Sequence, residues 1–217
     1  MEQIFTPYNL MAICVAYLMG SIPSAVWIGK IFYSKDVRQH GSGNAGATNT
    51  FRVLGKLAGT IVLIMDISKG LGSIALLAWL NPYETDSFEQ INFKLAVGIS
   101  AVLGHIFPIF AGFKGGKGVA TLLGIVVALH WQAALICIAI FLLIFLVTRY
   151  VSLGSMITAV SFPLLFFFFF RPVPLSLIYF AMVIAVLVLI THQKNIERLM
   201  RREENRMNIR IRKRGER

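Results

Sequence analysis

Three polar segments of the sequence combine residue types that bind anions and assist group transfer. The first is GSGNAGATNTFRVLG, over residues 41–55. Its glycines allow the backbone to turn several N–H groups toward one point, and its Ser, Thr and Asn side chains add neutral donors. Arg52 can bind a phosphate through two parallel hydrogen bonds. The segment predicts an anion-binding loop, and the alternative is a flexible connector.

The second segment is GFKGGKGVAT, over residues 112–121, at the start of an apolar run. Glycines and a lysine at the N-terminus of a helix form an anion site on general grounds, because free N–H groups and the positive end of the helix dipole meet there. The alternative is that Lys114 and Lys117 are simple membrane anchors. The three glycines beside Lys117 favour the anion site, since an anchor needs none.

Neither glycine-rich segment is a nucleotide-binding motif. The first opens as G-x-G-x-x-G, but that pattern needs a preceding strand, and here a membrane-length apolar run precedes it. The second misses the P-loop spacing, and Gly118 stands where Ser or Thr would hold magnesium.

The third segment is THQKNIERL, over residues 191–199, after the last apolar run. On a continuing helix His192, Asn195 and Ile196 share one face, which would point the imidazole and the amide together toward the bundle. The alternative is a histidine that only caps a span. A shorter patch, RYVSLGS at residues 149–155, opens another apolar run, and its hydroxyls could be ordinary helix caps.

The composition decides what kind of chain carries these segments. Of its 217 residues 57% are hydrophobic and 14% charged, and the mean hydropathy is +0.73. A soluble domain has about 25% charged residues, so a water-exposed globule, a disordered chain and a disulfide scaffold are excluded. The net charge is +11, and ten of the 21 basic residues follow the last apolar run. That placement indicates membrane anchoring, and no nucleic-acid partner is expected.

The apolar runs predict an all-α integral membrane protein, a bundle of about seven transmembrane helices. A run of about 20 residues crosses the hydrocarbon layer as a helix. Residues 118–148 are too long for one ordinary span, and His130, Trp131 and Gln132 divide them into two short helices. The seven predicted spans are residues 10–32, 57–80, 93–112, 118–130, 132–148, 152–170 and 174–191.

The distribution of Lys and Arg predicts the orientation of the bundle. With seven spans, the basic connections face the cytoplasm if the N-terminus lies outside and the C-terminus is cytoplasmic. All three polar segments then lie at the cytoplasmic face, which is the main indication of function. We expect a membrane domain over residues 1–200 and a basic cytoplasmic tail over residues 201–217.

Polar residues inside the predicted spans have structural interpretations. Asp66 and Lys69, three positions apart, are expected to neutralise each other. Ser100 and His105 are expected to make hydrogen bonds between helices. No Cys or His cluster has the spacing of metal ligands, so no metal or cofactor is expected.

The three segments, together with GSIPSA at residues 20–25 and the SLGS of the patch, resemble the bacterial membrane glycerol-3-phosphate acyltransferases that use acyl phosphate as donor. The resemblance covers about residues 1–200. It implies a multi-pass enzyme of the bacterial inner (plasma) membrane, with its active site on the cytoplasmic side. The implied reaction transfers a fatty acyl group to the 1-hydroxyl of sn-glycerol 3-phosphate and gives lysophosphatidic acid and phosphate. It also implies functional coupling to a soluble acyl-phosphate synthase.

The resemblance also implies the site residues. The catalytic set is Ser42, Arg52, Lys117, Ser155, His192 and Asn195, and the phosphate-binding set is Gly43, Asn44, Thr48, Asn49, Gly115, Gly116, Gly118 and Thr121. His192 is the natural general-base candidate; alternatively, a phosphate oxygen of a bound substrate accepts the proton.

Two hypotheses from other classes remain open on the sequence. Clustered glycines and basic residues could line the gate of an organophosphate or anion transporter. Against this, the polar segments lie at one face, whereas alternating access needs a central site that opens to both. A membrane scaffold with a lipid-binding tail would leave the first two segments unexplained.

Overall fold

The computed structural model describes residues 6–79, 83, 84 and 87–207, and in this part of the chain all regular structure is helical. The α-helices are α1 (Pro7–Gly20), α2 (Ser24–Tyr33), α3 (Ala47–Leu54), α4 (Lys56–Trp79), α5 (Phe88–Ile106), α6 (Val119–Leu129), α7 (Trp131–Thr148), α8 (Val151–Phe168), α9 (Leu175–Thr191) and α10 (Gln193–Met200). An all-α fold is confirmed.

Helices occupy each of the seven predicted stretches, but they differ in their capacity to cross a membrane. Within the described residues, five segments are long and apolar enough: α1 with α2, α4, α5, α7 and α8. The bent pair of α9 and α10, with 60° between the two helices, would be a sixth. α6 has only 11 residues, about half the length that a span needs. The count of seven spans and the orientation therefore remain predictions.

The predicted first span, residues 10–32, is divided in two. α1 ends at Gly20 and α2 begins at Ser24. Pro23 lies between them, and its ring and missing N–H interrupt the helical hydrogen bonds. The break exposes the carbonyl of Ile22, which accepts a hydrogen bond of 2.9 Å from Lys69 Nζ on α4.

Glycines bring the spanning helices into close contact. A Cβ added to Gly20 of α1 would overlap the backbone of Ala101 on α5, and one added to Gly70 of α4 would overlap the backbone of Thr121 on α6. Small residues allow such approaches, which favour helix association in lipid, where the hydrophobic effect between helices is weak. The second of these contacts fixes α6, and the glycine-rich segment before it, against α4.

α6 and α7 form a hairpin whose open end faces the polar segments. His130 joins the two helices, and its ring contacts Phe166 and Phe170 at one end of the bundle. At the opposite end, the carbonyl of Lys117 lies 3.5 Å from the Thr191 hydroxyl. α7 returns to that same end, where Arg149 follows it. We call this second end the site end.

Candidate active site

A chain of polar contacts joins the second and third polar segments at the site end. Lys117 Nζ donates to Asn195 Oδ1. The amide of Asn195 donates to Glu204 Oε1 at 2.8 Å, and the Ser152 hydroxyl donates to the same oxygen at 2.7 Å. Asn195 and Glu204 are only 6% and 7% exposed. This buried network fixes the amide of Asn195, which in turn directs the amine of Lys117.

Three cations surround the single buried carboxylate of this network. Arg198 Nε lies 3.8 Å from Glu204 Oε2, an oxygen without a hydrogen bond among the described residues. Arg52 Nη2 donates to the carbonyl of Asn205 at 3.1 Å, and the charge of Arg52 acts on Lys117. Arg52, Lys117 and Arg198 against Glu204 leave two positive charges in excess. Such a field attracts a phosphate dianion.

The first residues of the predicted tail are packed against the site. Glu203 N donates to the Arg198 carbonyl at 2.8 Å, and Met207 N donates to the Arg149 carbonyl at 2.9 Å. Arg202 makes the turn with a φ of 60°. These contacts involve only residues up to 207, and the domain boundary expected at residue 200 stays a prediction. Sequence reasoning missed Glu204, because an acidic residue in a basic tail is normally solvated.

The glycine-rich segment before α6 is held by backbone hydrogen bonds. Gly115 N donates to the Ile106 carbonyl and Gly116 N to the His105 carbonyl, both at 3.2 Å. These two predicted phosphate donors are therefore already paired. Gly118 has a φ of 83°, which a residue with a Cβ adopts only at a cost. The two hydrogen bonds and the turn at Gly118 therefore fix the backbone on both sides of Lys117.

The first polar segment uses one predicted phosphate ligand for its own folding. Asn49 Oδ1 accepts from Ser42 N at 2.9 Å, and Asn49 Nδ2 donates to the carbonyls of Val37 and His40 at 2.8 and 3.1 Å. Asn49 is buried, so it shapes the loop from inside. The other predicted donors of this loop are more accessible: Ser42, Asn44 and Thr48 are half-buried and Gly43 is exposed.

The remaining predicted site residues differ in how their polar atoms are used. Ser155 Oγ donates to the Val151 carbonyl at 2.9 Å, within its own helix. Thr121 Oγ1 lies 3.0 Å from Nδ1 of His105. His192 is 3% exposed, and its Nδ1 lies 2.8 Å from the Val188 carbonyl oxygen. Because a carbonyl only accepts, Nδ1 carries the proton, and in the neutral ring Nε2 carries the lone pair.

The environment of Lys117 makes its charge sensitive to pH. Burial lowers the pKa of Lys117 to about 8; the carboxylate of Glu204 opposes this shift, whereas Arg198 and Arg52 add to it. The amine is therefore cationic below about pH 8 and neutral above it.

We expect kcat/KM for a phosphate-bearing substrate to fall as the pH rises through about 8, because the free enzyme loses the Lys117 charge. The measurement is kcat/KM between about pH 6 and pH 10, with the uncatalysed reaction subtracted. Lys117→Arg is the control, since a guanidinium stays charged over this range and should move the alkaline limb upward. An alkaline limb at the same pH in both proteins would assign it to another group.

These features define a multi-pass helical membrane protein with a cluster of basic side chains at one end of its bundle. A sequence profile of the family described as glycerol-3-phosphate acyltransferase matches residues 10–202. The chain belongs to the glycerol-3-phosphate acyltransferase family, and it is an acyltransferase.

Individual relatives and solved structures agree with this assignment. The chain is 44% identical over 210 residues to a glycerol-3-phosphate acyltransferase of Enterococcus faecalis, covering 94% of each chain. It is 39% identical over 227 residues to that of Chlorobium phaeobacteroides, covering 92% of this chain and 97% of the relative. A crystal structure of PlsY (YgiH), an integral membrane glycerol 3-phosphate acyltransferase in its glycerol 3-phosphate form, superposes with a TM-score of 0.83 at 39% identity. It covers 92% of this chain and 96% of that one. The lysophosphatidic acid form gives 0.78 at 38% identity, with 92% and 95% covered.

Proposed function

We propose that this chain transfers a fatty acyl group from acyl phosphate to the 1-hydroxyl of sn-glycerol 3-phosphate, giving lysophosphatidic acid and inorganic phosphate. The observation that carries the proposal is the excess of two positive charges around Glu204, contributed by Arg52, Lys117 and Arg198. Both substrates bear phosphate, and a site that holds two such groups side by side needs this excess.

Acyl phosphate is a mixed anhydride with a good leaving group, so the enzyme needs no covalent intermediate. The oxygen of the glycerol 1-hydroxyl attacks the acyl carbonyl carbon, and the bond between that carbon and the phosphate oxygen breaks. The leaving group departs as phosphate. The proton of the hydroxyl goes to Nε2 of His192 or to a phosphate oxygen of a bound substrate.

We assign the two phosphates to two groups of donors. Lys117, held by Asn195, binds one of them at the start of α6, where the helix dipole adds to the attraction. Arg52 binds the other together with the accessible donors of the first loop, Ser42, Asn44 and Thr48. The hydrogen bond of 3.1 Å from Arg52 to the Asn205 carbonyl supports this assignment, because it places a guanidinium N–H at the site end.

We place the chain in the bacterial inner membrane with seven membrane crossings, the N-terminus outside and the site at the cytoplasmic face. The positive charge of the connections at the site end supports this orientation. The acyl chain would then lie among the lipid tails, and a soluble acyl-phosphate synthase would supply the donor from the cytoplasm.

An assay with purified protein in detergent tests the proposal. Radiolabelled glycerol 3-phosphate and palmitoyl phosphate should give radiolabelled lysophosphatidic acid. Palmitoyl-CoA in place of the phosphate is the donor control and should give no product. Because detergent leaves no sealed compartment, product formation also rejects a transporter or a scaffold as the whole function. Absence of product from folded protein would overturn the proposal.

Arg52→Lys tests the phosphate assignment, because lysine keeps the charge and loses the two-pronged geometry. We expect KM for one of the two substrates to rise about 10-fold, the loss of one good charge-assisted hydrogen bond. Steady-state kinetics with each substrate varied in turn is the measurement. Lys56→Arg, at an exposed site at the start of α4, is the matched control for exchanging the two cations. A near-normal KM for both substrates in Arg52→Lys would refute binding through two bonds.

A further inference from the structure

We propose that the buried pair His105 and Thr121 is a clamp that positions Lys117 for the acyl transfer proposed above. His105 lies in α5 and Thr121 in the first turn of α6, so neither needs to touch a substrate. Both are buried, at 5% and 0% exposure. The inference rests on the proposed function and assigns to both residues a role as positioning residues.

The first half of the clamp is the contact of His105 with the glycine-rich segment. The His105 carbonyl accepts the N–H of Gly116, and the carbonyl next to it, of Ile106, accepts that of Gly115. The imidazole ring itself covers Gly116, where an added Cβ would overlap Nε2. The position of Gly116 is therefore set by the main chain and by the ring of one residue.

The second half of the clamp is the contact of the same ring with α6. Thr121 Oγ1 lies 3.0 Å from His105 Nδ1. Gly116, which precedes Lys117, is covered by the His105 ring. The first turn of α6, which follows Lys117, contacts the same ring through Thr121. With Gly118 in the left-handed region between them, the path of the backbone is defined at both sides of Lys117.

A buried ion pair holds the ring in place from behind. Asp66 Oδ1 lies 3.7 Å from His105 Nδ1, 3.1 Å from Lys69 Nζ and 2.9 Å from the Ser24 hydroxyl, which donates to it. The pair of Asp66 and Lys69, which the sequence predicted to neutralise each other, also connects α4 and α2 to the ring. These contacts restrict the movement of the His105 ring. They therefore also restrict the glycine-rich segment that the ring covers.

This arrangement matters because the amine of Lys117 must meet Asn195 and a phosphate together. A displacement of about 1 Å from a mutation away from the chemistry can cost on the order of 100-fold in rate. Loss of the clamp should thus reduce catalysis far more than it reduces the amount of folded protein.

The test is a pair of substitutions at one hydroxyl. Thr121→Val keeps the shape and removes the contact with His105, and Thr121→Ser keeps the hydroxyl. Thr158→Val is the matched control, because the Thr158 hydroxyl is buried and has no hydrogen-bond partner among the described residues. We expect kcat/KM to fall about 10-fold or more in Thr121→Val, to recover to within about threefold in Thr121→Ser, and to stay near wild type in Thr158→Val.

Two further measurements separate positioning from a general loss of structure. The alkaline limb of kcat/KM should move to higher pH in Thr121→Val, because a displaced Lys117 is better solvated while Arg52, Arg198, His192 and Glu204 are unchanged. His105→Asn keeps a polar atom near the position of Nδ1. The double variant of His105→Asn and Thr121→Val should lose no more kcat/KM than His105→Asn alone.

The outcomes are distinct for the inference and for the function. Wild-type kcat/KM in Thr121→Val, or equal losses in the Val and Ser variants, would overturn the clamp. A lowered melting temperature with unchanged kcat/KM and an unchanged alkaline limb would also overturn it, since the pair would then be structural only. Failure of the wild-type enzyme to make lysophosphatidic acid would instead reject the proposed function.

Discussion

Lys117→Met should lower kcat/KM by about 100- to 1000-fold, the usual cost of removing a charged group that stabilises the transition state. The physical reason is that Lys117 donates to Asn195, which Glu204 holds in turn, so its charge lies at the site. Among the described residues of the glycine-rich segment, no other cation has such a contact. Methionine keeps most of the apolar stem, so the loss is mainly that of the charge. The measurement is lysophosphatidic acid formation with each substrate varied.

Lys114→Met is the matched control for this prediction. Lys114 lies three residues away, is exposed, and belongs to the same segment. If only membrane anchoring mattered, the two substitutions would have similar effects; we expect activity within about twofold of wild type for Lys114→Met. Equal losses in the two variants would contradict the assignment of Lys117 to the site.

His192→Ala should lower kcat by about 100-fold, the typical contribution of a positioned acid–base group. The ring is buried at the end of α9, and its Nδ1 is occupied by the Val188 carbonyl, which leaves Nε2 to accept a proton. A loss expressed mainly in KM would indicate instead that His192 binds substrate and that a phosphate oxygen accepts the proton.

His192→Gln divides these two accounts further. A glutamine amide can hydrogen-bond near the position of Nε2 but cannot take up a proton at neutral pH. If the imidazole is the base, Gln and Ala variants should lose similar amounts of kcat. Near-normal kcat in the Gln variant would transfer the role of base to the substrate. Melting temperatures of both variants control for the loss of a buried ring.

The fold was largely predictable from the sequence because hydropathy reports where a chain can lie in lipid. Hydropathy predicted helices in all seven stretches, but it does not report a turn inside an apolar run. The short α6 was predicted, as residues 118–130, but the break at Pro23 was not, because both flanks of its turn are apolar and the hydropathy is continuous there. The separation of α6 from α7 was predictable, since His130 and Trp131 interrupt the apolar run.

The site was predictable as a set of segments but only partly as a set of contacts. Arg52, Lys117 and Asn195 lie at one end of the bundle, as their residue types and positions indicated. Asn49 and Thr121 have the same polar groups as phosphate ligands, but their partners are inside the protein. Glu204 lies far from the glycine-rich segments in sequence and reaches the site only because the chain turns back after α10. No local pattern contains that information.

The short length of α6 bears on how the proposed lipid-like donor would reach Lys117. α6 has 11 residues and α7 has 18, and both meet at His130, so α6 is about 10 Å shorter than α7 along the helix axes. Under the proposed function, a lipid-like anhydride would therefore rise less far out of the hydrocarbon to bring its carbonyl to Lys117. Withdrawing an alkyl tail into water costs about 0.8 kcal/mol per methylene. In that case the water-soluble alcohol would approach the site from the aqueous side while the alkyl tail of the donor stays in the bilayer.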